Sequence, residues 1–106
     1  MAPPSLRSRQ EDYDLVAAPS GTAALAMLAE RPVDLVITDL WMHDMDGVAL
    51  TEAVKNLAPD CQVILLAARP MVFDLQRAWA AGVADVVSKP VPLGTFATTV
   101  RTALGQ

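Results

Sequence analysis

The sequence predicts an α/β domain built as a doubly wound parallel sheet, and three observations point there. Apolar runs of strand length alternate along the chain with amphipathic stretches of about 10 residues, the pattern of repeated βαβ units. The run Val33 to Ile37 is apolar on both sides, as in a parallel strand covered on both faces. Beyond it, Asp39 opens a loop that carries two more carboxylates, Asp44 and Asp46, and ligands of such sheets gather at the carboxyl ends of the strands.

Each element follows from local chemistry. Tyr13 to Ala18 reads as a short strand, and Ser20 is placed to cap a helix over Gly21 to Glu30, with Ala24, Leu25 and Leu28 on one face. After the Val33 strand, Val48 to Leu57 puts Leu50, Ala53, Val54 and Leu57 on one helical stripe. Pro59-Asp60 turns the chain into the strand Gln62 to Ala67. Arg69-Pro70 leads to a helix from Met71 to Ala81, ended by Gly82, with Trp79 assigned to the core beside Leu75 and Ala78. Ala84 to Ser88 is the last strand. Pro90 and Pro92 delay the final helix, whose apolar face is Leu93, Phe96, Ala97, Val100 and Leu104 and which runs to the end of the chain.

Bulk composition limits what the domain can do. With 106 residues, 53% of them hydrophobic and 19% charged, the chain is long enough for one packed core and leaves little room for a separate output module. A net charge of -4 with no basic cluster argues against nucleic acid as a direct partner, since phosphate backbones need a basic face. The apolar runs are too short to span a membrane, and MAPPSLRSRQ lacks the apolar centre of a signal peptide, so the cytoplasm is the expected compartment. A single Cys61 offers neither an internal disulfide nor a metal site and is read as structural or incidental.

Two segments resemble the receiver domain of bacterial two-component response regulators, the CheY-like family. DLVITDLWMHDMDG is similar to its phosphoacceptor segment, and AWAAGVADVVSKP to the Ala-Gly-Ala-Asp segment that leads to a Lys-Pro pair. The two stand in the family's order, with a strand and a helix between them, and the likeness covers 13–106, leaving 1–12 as a non-matching segment. The resemblance implies that Asp39 takes a phosphoryl group from the phosphohistidine of a sensor histidine kinase or phosphotransfer protein. It implies that Lys89, followed by a cis peptide bond to Pro90, neutralises the phosphoryl oxygens, and that Asp39 and the Trp41 backbone carbonyl ligate magnesium. The output would be contact with a downstream protein through the last strand and its neighbouring helices, without catalysis of its own. Asp46-Gly47 is assigned to turn-making, because Asp can cap a helix and Gly can take a positive φ.

The sequence departs from the family at several positions. The magnesium-binding acidic pair at the end of a first strand has no counterpart, so the fold reads as N-terminally truncated; Glu11 and Asp12 precede their strand and fall at the wrong end of the sheet. The switch hydroxyl falls on Ala67, the switch aromatic on Val86 and the loop proline on His43. The family's strand order, 2-1-3-4-5, makes the missing strand central. Three outcomes are open: a start further upstream, closure of the remaining strands, or a homodimer paired across the gap. Two alternatives to phosphorylation stand beside it, a pseudo-receiver that docks a partner, with Trp41 as an anchor or as a ring lying on its own domain, and an inert fragment of a longer regulator.

Overall fold

A computed structural model describes residues 5–7, 14–17, 20–41 and 45–105, with side chains from residue 20 onward. The elements are β1 (Ser5–Arg7), β2 (Asp14–Ala17), α1 (Gly21–Glu30), β3 (Leu35–Asp39), α2 (Gly47–Leu57), β4 (Gln62–Ala67), α3 (Val72–Ala81), β5 (Asp85–Ser88) and α4 (Leu93–Ala103). Strands β2 to β5 form a parallel ladder in sequence order, and β1 adds to β2 as an antiparallel edge. Leu15 to Ala17 of β2 pair directly with Leu35 to Ile37 of β3, so in this structure the strands close up without a strand between them. The β1 strand was not expected, because the first residues carry no apolar run from which to read it.

Alternation along the strands assigns the two faces. Val36, Val63, Leu65 and Ala67 turn toward α1, α2 and α3, where they pack with Ala24, Leu50, Val54 and Ala78. Leu35, Ile64 and Val87 turn the other way, toward Val100 and Ala103 of α4 and Leu104 just past its end. The sheet is therefore doubly wound, with three helices on one face and one on the other. Leu35, Val36, Val63, Ile64 and Leu65 are all fully buried, as a parallel strand without a wet face requires.

The helix signals act as their chemistry predicts. Ser20 accepts the Ala23 N–H at 3.1 Å and caps α1, while Gly82 ends α3 in the left-handed region at φ 101. The turn at Pro59-Asp60 is clipped by Lys55, whose ammonium donates to the Cys61 carbonyl at 2.7 Å. Three apolar assignments need correction. Leu57 and Leu93 are exposed, because α2 ends beyond the sheet and α4 sets out from the carboxyl edge, meeting the apolar face only with its later turns. Trp79 is half exposed: α3 faces the core through Ala78, and the next residue along a helix is rotated by about 100° away from it. Thr51 is a core residue that apolar patterning misses, its hydroxyl satisfied by the Gly47 carbonyl at 2.7 Å. The β3 strand begins two residues later than expected, since its ladder with β4 opens where Gln62 donates to the Asp34 carbonyl.

Cys61 lies at the entrance to β4, and burial pushes its thiol up to about 11 against a partial offset from Lys55. Because the thiolate is the reactive form, Cys61 in the native protein should resist an aromatic disulfide reagent at pH 8 and react promptly once denaturant is added. Rapid reaction of the native protein would show that the start of β4 is not packed as described.

Candidate functional site

The site is assembled at the carboxyl edge of the sheet from residues far apart in sequence. Asp39 is the last residue of β3, and Lys89 follows β5; β4 runs between them. Two strand spacings separate their backbones by about 9–10 Å, a gap that a lysine side chain can bridge. Lys89 Nζ lies 2.6 Å from Asp39 Oδ1. Backbone bonds to β4 fix both ends of the pair: Lys89 N–H donates to the Ala67 carbonyl at 2.8 Å, and Leu40 N–H to the Leu66 carbonyl at 2.8 Å. The Lys89-Pro90 bond is cis. Both side chains are nearly half exposed, at 43% for Lys89 and 46% for Asp39. An ion pair of that exposure contributes about 0–1 kcal/mol, so its position at the edge, rather than its share in stability, is what distinguishes it.

Asp46 and Gly47 serve the site as scaffolding. Asp46 caps α2, with Oδ1 accepting the Ala49 N–H at 2.7 Å, and Oδ2 accepts from Arg77 of α3 at 3.2 Å. Burial raises the Asp46 pKa, but the Ala49 N–H, the Arg77 hydrogen bond and its charge together outweigh that and lower it below its ordinary 3.8. The role of Gly47 differs from the one expected, since the positive-φ glycines among the described residues are Gly82 and Gly105. Close approach is the reason for glycine: a Cβ on residue 47 would stand 2.7 Å from the Asp39 carbonyl oxygen and 2.8 Å from Leu65 Cδ2.

The remaining expected positions are distributed as follows. Ala67 is buried at the end of β4 and presents only its methyl group; Val86 is half buried against the core. Trp41 is 64% exposed, so most of its side chain faces solvent. Met45 packs inward, over Gly21 at the start of α1. Met42, His43 and Asp44, with Glu11, Asp12 and Tyr13, lie outside the described residues. The donors do not make a closed magnesium site: among the described residues there is no group of three acidic, His or Cys side chains that could hold an ion. A cation needing about six oxygens in near-octahedral order finds at the pair one carboxylate, already bound to Lys89.

Comparison with known proteins places the chain in a family. The model of the response regulator receiver domain matches residues 5–101, and the chain belongs to that family. The heme response regulator HssR of Staphylococcus aureus is 37% identical over 94 residues, which is 89% of this chain and 42% of HssR. The chain thus spans less than half the length of the curated relatives it matches. Among solved structures, the signal receiver domain of an HD domain-containing protein from Pseudomonas fluorescens Pf-5 is 32% identical with a TM-score of 0.76, over 81% of this chain and 70% of that one. A CheY-like receiver domain protein from Methanospirillum hungatei JF-1, at 21% identity, has a TM-score of 0.77 over 81% of this chain and 69% of its own, a likeness of fold. Receiver domains are signalling modules of two-component systems.

The packing at Gly47 yields a prediction. Gly47→Ala places a methyl group against backbone on one side and the Leu65 side chain on the other, and such overpacking costs about 1–3 kcal/mol. Thermal unfolding should register a clear drop in midpoint, whereas Gly94→Ala, within α4 and with nothing within 4 Å of the added carbon, should leave it unchanged or raise it.

Proposed function

We propose that this chain is a phosphoryl-accepting receiver, with Asp39 as the acceptor and Lys89 as the cation that serves it. The observation that carries the reading is the 2.6 Å pair these two residues make across β4 at the carboxyl edge of the sheet. In the step proposed, a carboxylate oxygen of Asp39 attacks the phosphorus of a donor phosphohistidine. The O–P bond forms as the P–N bond breaks, and the leaving imidazole recovers a proton from solvent. Lys89 gives up its contact with the carboxylate and neutralises the phosphoryl oxygens as charge shifts onto them. The donor is a sensor histidine kinase or a phosphotransfer protein, and the product state is read by a downstream protein.

A second reading, a docking module that works without phosphorylation, draws on Ala67, Val86 and Trp41. A phosphoryl group shifts a two-state element only through contacts that differ between the states. Ala67 has no hydroxyl to be drawn toward it and Val86 no ring to follow, while an exposed Trp41 beside Asp39 is the type of residue that anchors partners.

Two measurements test these readings. Incubation with acetyl phosphate and magnesium, followed by mass spectrometry, should show one acyl phosphate, on Asp39, that is lost in Asp39→Asn. A modification that survives this substitution, on Asp44 or Asp46, overturns the assignment, and no modification at all favours the docking module. Calorimetric titration of the unmodified protein should give millimolar or weaker magnesium binding, because one ion-paired carboxylate is a poor inner shell. Sub-millimolar affinity would show that another acid has been recruited.

A further inference from the structure

Arg77 has no part in the acceptor pair, yet it is tied to it by a short chain of contacts. It lies in the middle of α3, one turn after Phe73, and its guanidinium carbon sits 5.7 Å from the centroid of that ring. Phe73 is two-thirds exposed and serves as a platform that holds the guanidinium in place. From there Nη2 reaches 3.2 Å to Asp46 Oδ2. The other oxygen of that carboxylate is occupied by the cap of α2, so Asp46 joins two helices, one through each oxygen. The next residue, Gly47, lies so close to the Asp39 carbonyl that a Cβ on it would stand 2.7 Å from that oxygen, and it donates its N–H to the Leu40 carbonyl. A displacement of Asp46 is therefore passed to the last peptide of β3, from which the Asp39 side chain projects.

We propose that Arg77 is a positioning residue for the acceptor site, holding the end of β3 through Asp46 and Gly47. The inference rests on the reading of Asp39 as acceptor and adds a residue that the acceptor chemistry itself does not touch. With a methyl at residue 67 and an isopropyl at residue 86, this ion pair is a polar link from α3 to the corner that carries Asp39. The contact is made through a single nitrogen, so a lysine can replace it in part, and Asp46→Asn keeps the helix cap while removing the charge that Arg77 binds.

The test compares wild type with Arg77→Gln, Arg77→Lys, Asp46→Asn and the Arg77→Gln/Asp46→Asn double variant by two readouts. The first, in the unmodified protein, is the NMR position of the Leu40 and Gly47 amides and of the Asp39 carboxyl carbon. The second is the rate of phosphoryl uptake from acetyl phosphate. Arg77→Gln and Asp46→Asn should each move the three resonances and slow uptake about three- to tenfold, the double variant should be no slower than either single one, and Arg77→Lys should recover most of both. Additive losses in the double variant, or shifts confined to α3 with an unchanged rate, overturn the proposal. If wild type takes up no phosphoryl group, the acceptor reading fails, and the resonances alone decide: movement at Asp39 that lysine restores supports the positioning role, and its absence refutes it.

Discussion

The middles of β3 and β4 are closed to water on both faces, and the rest of the structure follows from that. With Leu35 and Ile64 buried on one side and Val36, Val63 and Leu65 on the other, every backbone polar group along these strands must be paired within the ladder. A charged side chain cannot be housed anywhere along such a strand at tolerable cost. The first position where one can stand is where the strand leaves the sheet, and Asp39 and Lys89 occupy that position on β3 and just past β5. The apolar middle thus selects the place of the ionic edge, and the intervening β4 sets how far apart the two charges begin.

Much of this was legible because it depends on local pattern. Ser20, Gly82 and the Pro59-Asp60 turn are short-range signals whose outcome is settled within a few residues, and Asp39 and Lys89 stand at strand ends that apolar runs define. What stayed hidden depends on tertiary distance. The requirement for glycine at residue 47 arises from the approach of the Asp39 carbonyl, which no local pattern encodes. The partnership of Asp46 with Arg77 joins residues 31 apart in sequence. The exposure of Leu57, Leu93 and Trp79 reflects where each helix meets the sheet, and a helical stripe drawn from sequence cannot say where the sheet ends.

The family's usual parts are unevenly retained. Asp39 and Lys89, the positions that the resemblance assigns to the carboxylate and its lysine, are in contact, while the positions it assigns to the hydroxyl and the aromatic carry the aliphatic residues Ala67 and Val86. Chemistry at the edge and propagation away from it are separate demands, and a chain can keep the first while the second is supplied differently. The same separation applies to the sheet, where β2 takes the position beside β3 that the family's order gives to another strand. Direct pairing satisfies the edge of β3 and preserves the register that delivers Asp39.

The short strand β1 changes what the sheet offers to the outside. A parallel sheet that ended at β2 would expose a row of unpaired amides and carbonyls ready to accept a strand from another molecule. An antiparallel partner of three residues, Ser5–Arg7, occupies that row with the chain's own backbone. Because the occupying segment is so short, the outermost rim it presents is itself too brief to template a long ladder. That stretch of backbone shields β2 on its outer side although only one of its three residues, Leu6, is apolar.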